Sequence, residues 1–217
     1  MAKKKKRTPP PPRPVQAPRR RYQPTTGGFG SRTKLLAGAA AVLVVAVIIV
    51  AAVAASGGGG NGSAAVAKSM AAAGCTFKTY PSQGRTHVQS LAAKVDYHSF
   101  PPTSGPHYFQ PAVWNAYSGP LVLVQEVHNL EHGGVIVQYG SRVSKPTVTQ
   151  LQSFYRESPN ALLLAPLPKL GDRIALSAWT HLATCRRFTA TAFRSFRDAY
   201  RGKGPERFPV SALTPGS

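Results

Sequence analysis

Acidic residues are scarce in this chain: seven Asp and Glu stand against 27 Lys and Arg in 217 residues. None of the seven lies in residues 1–34, which carry eleven of the cations. That imbalance excludes a uniformly charged globule, so the arm and the remainder need separate explanations. Cysteine is limited to two copies, Cys75 and Cys185, which leaves one pairing to consider. No methionine lies near the histidine-rich stretches, which argues against a soft Cu(I) thioether site. No internal repeat is visible. Residues 35–55 lack charge, proline and any polar side chain, which excludes an ordinary surface helix there.

The arm, residues 1–34, is rich in proline, glycine and like charges. It has too little apolar surface to offset the entropy of ordering, and the expectation is disorder. Its few aromatic side chains give bases little to stack on, so nucleic-acid binding is not expected. The segment "LLAGAAAVLVVAVIIVAAVAA" then runs for 21 residues. As a helix it reaches about 31 Å, the thickness of a bilayer's hydrocarbon core. It reads as a transmembrane helix kept as a signal anchor. The cations before it place the N-terminus in the cytoplasm and the C-terminal part outside it. The arm would then lie on anionic inner-leaflet lipids. "SGGGGNGS", residues 56–63, reads as a flexible linker.

Residues 64–209 are long enough to bury one core, and residues 210–217 read as a flexible tail. Thiols oxidise outside the cytoplasm, so Cys75 and Cys185 are expected to pair. Pattern indicates a small single extracytoplasmic α+β domain with a mixed sheet and a loop-rich first half. "SAAVAKSMAAAG" reads as a helix stopped by Gly74. "GGVIVQYG", "LVLVQ", "ALLLA" and "RIALSAWT" are strand candidates. Helical spacing puts Val148, Leu151, Phe154 and Tyr155 on one face, and Ala192, Phe193, Phe196 and Tyr200 on another.

All six histidines fall in this domain. "PPTSGPHY" holds three prolines, so it cannot form a regular helix or a central strand. It is a stiff loop that fixes His107. "VHNLEHGGVIVQYG" spaces His128 and His132 four residues apart. On a helical turn such a pair shares a face; on a strand it lies about 13 Å apart. Gly133-Gly134 looks like a helix stop, which favours a short turn across the pair.

Three readings remain open. The first is a metal centre for Zn2+ or Cu2+ on His107, His128 and His132, with His87 as a fourth donor and Glu131 as a ligand or an acceptor orienting an imidazole. The second is a hydrogen-bonded histidine network without metal. The third takes H-x-x-E-H as an inverted zincin motif with Glu131 as catalytic base, although that motif needs a longer helix and a downstream carboxylate. His98 and His181 sit in unconstrained local sequence and are not expected to be ligands. No feature identifies a protein partner.

"PPTSGPHY", Trp114, "VHNLEHGGVIVQY", "APL" and "SAWTHLATC" together resemble the bacterial family called domain of unknown function 3105, over roughly residues 74–185. The resemblance implies an anchored extracytoplasmic domain. It also implies that His87, His107, His128, Glu131, His132 and both cysteines match family positions, and it implies no activity.

Overall fold

A computed structural model describes residues 60–217. The arm 1–34, the apolar segment 35–55 and the linker up to residue 59 lie outside the described residues. Among those described, no helix is long and apolar enough to cross a membrane.

Five strands form the main sheet: β1 (Thr76–Thr79), β4 (Val135–Tyr139), β5 (Leu162–Pro166), β6 (Ile174–Ala178) and β7 (His181–Cys185), in the order β1-β7-β6-β4-β5. All neighbours are antiparallel except β4 and β5. A parallel pair needs a crossover, and α3 (Lys145–Glu157) supplies it. The α+β class and the mixed sheet agree with the sequence reading.

Residue alternation divides the core into two faces. Val135, Val137, Leu162, Leu164, Ile174 and Leu176 pack on one side with α1 (Gly60–Ala72), α3 and α4 (Ala190–Tyr200). Ile136 and Leu163 point the other way, towards Trp114 and the Leu130 side chain of α2 (Leu123–Glu131). Because both faces are covered, the central strands are buried almost throughout. The expected apolar faces of α3 and α4 are present: Leu151, Phe154 and Tyr155 are buried on the first, and Ala192, Phe193, Phe196 and Tyr200 on the second. Ser144 caps α3, its side chain accepting from the Thr147 N–H. Cys75 and Cys185 form the expected disulfide, next to the β1–β7 ladder.

Three expectations are corrected. "LVLVQ" is no strand: from Leu123 it is the first turn of α2. A four-residue apolar run cannot reveal its period, and here Val124, Val127 and Leu130 are buried at helical spacing. The linker read at 56–63 is helical from Gly60. The C-terminal tail is docked: Leu213 is buried, its carbonyl accepts from the Ala161 N–H at 2.7 Å, and the Trp114 N–H donates to the Ser217 carbonyl at 3.0 Å. Sequence reading also missed β1 and β7, which are short and partly polar.

Candidate metal centre

Residues 80–122 contain little regular structure, as expected, apart from a two-stranded parallel ribbon of β2 (His87–Val88) and β3 (His107–Tyr108). The ribbon register sets His87 directly opposite His107. The proline-rich loop that delivers His107 is buried from Pro101 to Gly105, which fixes the residue in place. Helix α2 packs against β3 and brings His128 and Glu131, one turn apart, to the same point. The next residues explain how the helix stops there. Gly133 adopts φ +87°, and a Cβ at Gly134 would run into the Trp114 indole. Asn129 holds the opposite loop: its carbonyl oxygen accepts from the Ala112 N–H at 2.9 Å, and its amide donates to the Ala112 carbonyl at 2.8 Å.

One ligand atom each from His87, His107, His128 and Glu131 lies within 4.8 Å of all the others. His107 and Glu131 are fully buried, while the His87 side chain is 45% exposed and forms the solvent side. The imidazoles are oriented by backbone. The His107 Nδ1–H donates to the Gly105 carbonyl, and the His128 Nδ1–H donates to the Tyr108 carbonyl, both at 2.8 Å. This fixes the tautomers and leaves each Nε2 as the acceptor nitrogen, the usual role of such bonds around a metal, although the His128 Nε2 also meets His132 Nε2 at 3.0 Å. The His107 Nε2 then faces Glu131 Oε2 at 2.9 Å, and His87 Nε2 is 3.6 Å from the same oxygen.

Two atoms that both present lone pairs at 2.9 Å, away from water, need a positive charge between them. A proton on the imidazole or a shared metal ion would supply it. Burial, aided by the neighbouring His107 and His87, holds the His128 pKa below the ordinary histidine value despite its bond to Tyr108 and the nearby Glu131. His128 is thereby kept in the neutral form that ligates metals.

Of the residues expected from sequence, the structure brings His87, His107 and His128 together, with Glu131 in the donor group itself. His132 is not part of that group. As the cap residue of α2 it lies behind His128, with its Nε2 3.0 Å from His128 Nε2 and 3.1 Å from Glu206 Oε2. The spacing of four does bring His128 and His132 together, with ring centroids 4.6 Å apart, but His128 and Glu131 are the pair that face the ribbon. His98 and His181 are outside the group, as expected. Two neighbours went unnoticed. Arg85 stands on the rim, its Nη1 3.7 Å from Glu131 Oε1, and Glu206 backs His132. In so acid-poor a chain, Glu206 beside "GKGP" was the available signal.

The family described as "Protein of unknown function (DUF3105)" matches residues 87–211, and the chain belongs to that family. The match begins at His87 and runs on through α4 and Glu206, further than the sequence resemblance reached, and it leaves Cys75 outside. No curated protein matches the chain, and no solved structure does.

Proposed function

Starting from membership of DUF3105, we propose that this protein holds a divalent transition-metal ion, Zn2+ or Cu2+, on an extracytoplasmic domain anchored by one membrane helix. The observation that carries the metal reading is the His107–Glu131 contact, with Nδ1 of the imidazole already committed to a backbone carbonyl. His128 and His87 complete a donor set of three nitrogens and one carboxylate oxygen, a set that suits Zn2+ or Cu2+. An ion there would act as a Lewis acid or a held cargo; His87, His107, His128 and Glu131 would hold it, with the tautomers of His107 and His128 fixed by the Gly105 and Tyr108 carbonyls. Four donors favour retention over hydrolysis. Glu131 stands among the donors and His132 outside them, which is the reverse of what the H-x-x-E-H hydrolase needs. Anchoring is supported by the apolar run at 35–55 and the cations before it, which would rest on anionic inner-leaflet lipids.

A second reading has its own support: the same 2.9 Å contact is also the geometry of a buried imidazolium–carboxylate pair that shapes the loops without metal. Metal content of the full-length protein decides between them. About one equivalent is expected in the wild type and in His132→Ala, and little in His107→Ala or Glu131→Ala. Wild-type protein without metal after exposure to Zn2+ and Cu2+, with His107→Ala lowering stability alone, would leave the ion-pair network as the function of these residues.

A further inference from the structure

A cavity of about 440 Å3 shares no residue with the histidine cluster. Ser63 of α1, Ala178, Trp179 and His181 of the β6–β7 hairpin, and Tyr200 and Lys203 at the end of α4 form its walls. That volume suits a small ligand. Its polar equipment is one-sided, since Lys203 brings an ammonium group and no carboxylate lines the cavity.

The fold holds His181 in a fixed orientation. Its ring stacks on Tyr200, with centroids 4.1 Å apart, and its Nδ1–H donates to the Trp179 carbonyl at 2.7 Å. The Nε2 atom is left without a protein partner among the described residues, and burial keeps the ring neutral by lowering its pKa. Nε2 is therefore an acceptor that awaits a donor. The Tyr200 and Ser63 hydroxyls meet only at 3.4 Å, a long contact that a ligand hydroxyl would improve.

The hairpin that presents His181 and Trp179 is strained. Thr180 lies between them at φ +63°, a region that side-chain-bearing residues avoid. It is kept there from both sides: its N–H donates to the Thr103 carbonyl at 2.9 Å, and its carbonyl accepts from the Tyr80 N–H at 2.8 Å. Strain of this kind persists where surrounding contacts over-determine it, and it gathers at ligand clamps. His181 was expected to sit in unconstrained local sequence; the hairpin and the Tyr200 stack hold it in place.

From the cavity's shape and chemistry we propose that it is a second site, binding a monosaccharide that carries a phosphate or carboxylate. Lys203 takes the anion, His181 Nε2 accepts from a sugar hydroxyl, and Trp179, whose indole also packs against the Trp114 and Leu163 cluster, walls the cavity beside the sugar ring. Neither metal nor the histidine cluster takes part.

The test follows tryptophan fluorescence of full-length protein in detergent, with glucose 6-phosphate, glucuronate, glucose and inorganic phosphate as probes. Both anionic sugars should give a saturable change that is absent in Trp179→Phe. Lys203→Met, an exposed position whose folding is checked by circular dichroism, should weaken them about tenfold. His181→Phe should abolish the preference for glucose 6-phosphate over inorganic phosphate, and His107→Ala should leave binding intact. Equal binding of glucose and its phosphate, of phosphate alone, or no saturable response at all would overturn the proposal.

Discussion

The two faces of the sheet are built on different principles. On one, three helices bring Met70, Leu151, Phe154, Phe193 and Phe196 into an apolar layer, with Arg197 the buried polar exception. On the other, one short helix and long irregular segments bury Thr103, Ser104, His107, Glu126, His128, Asn129, Glu131 and Gln138. Nearly every buried polar side chain therefore lies on the face that the irregular segments cover. A helix-covered face satisfies its own backbone and can be apolar; an irregular face must use side chains and carbonyls to satisfy each other. The same carbonyls that end up without a ladder partner, those of Gly105 and Tyr108, are the ones that orient the imidazoles. The helical face holds the apolar core and the loop face holds the histidine–carboxylate cluster.

Mutations can break this division. The largest effect is expected on the helical face: Phe196→Ala removes a fully buried ring and should cost about 3–5 kcal/mol in urea unfolding while metal content stays unchanged. If Phe196→Ala also lost metal, the faces would not be independent. The disulfide comes next. It closes a sequence separation of 110 residues, and replacing both cysteines by serine should cost roughly 2–4 kcal/mol, read as a lower urea midpoint that reductant no longer alters.

A change in the opposite direction is expected on the loop face. Glu126 is buried, with both oxygens accepting from the Gln138 amide, and burial pushes its pKa up to about 7 against that bond. A carboxyl whose folded pKa is raised binds its proton more tightly folded than unfolded, so its stability cost is absent below about pH 4.5 and is complete above about pH 7. Glu126→Gln should therefore stabilise the protein by roughly 2–3 kcal/mol at pH 8 and hardly at all at pH 4. Equal midpoints at pH 8 would show that Glu126 is compensated by some other group.

The same division governs what the sequence revealed. Period-3.6 spacing located the buried faces of α3 and α4 because a helix contacts the core through one stripe of its own residues. "VIVQY" was recognisable as a strand, but its apparent alternation hid that Gln138 is also buried, paired to Glu126. On the loop face, local pattern located His107 and His128 without showing how they meet. The His87–His107 register joins residues twenty apart through a two-residue ribbon that no propensity marks. The exchange of His132 for Glu131 depends on which side of α2 faces that ribbon, a tertiary fact. "TFKT" and "HLATC" were overlooked because β1 lies at the sheet's edge and β7 beside it, where polar residues are tolerated.

The smallest expected effect is also the one that separates the faces most cleanly. His128 and His132 both have pKa values lowered chiefly by burial, His132 further by its neighbour His128. A histidine whose folded pKa is depressed stays neutral in the fold and takes up a proton more readily once unfolded. Its contribution is complete above about pH 6.5, the unfolded value, and is lost as pH falls from there towards the folded pKa. In metal-stripped Glu126→Gln protein, where the opposing titration of Glu126 is removed, unfolding should therefore come at lower urea at pH 5.5 than at pH 7.5, by under about 1 kcal/mol for each partly solvated ring. His128→Gln should reduce that difference, because the pH-sensitive group is gone, whereas Phe196→Ala should lower both midpoints and leave the difference between them as it was. A pH response that survives His128→Gln and His132→Gln together would have to arise elsewhere, and Glu126 cannot supply it, since its titration favours the acid side.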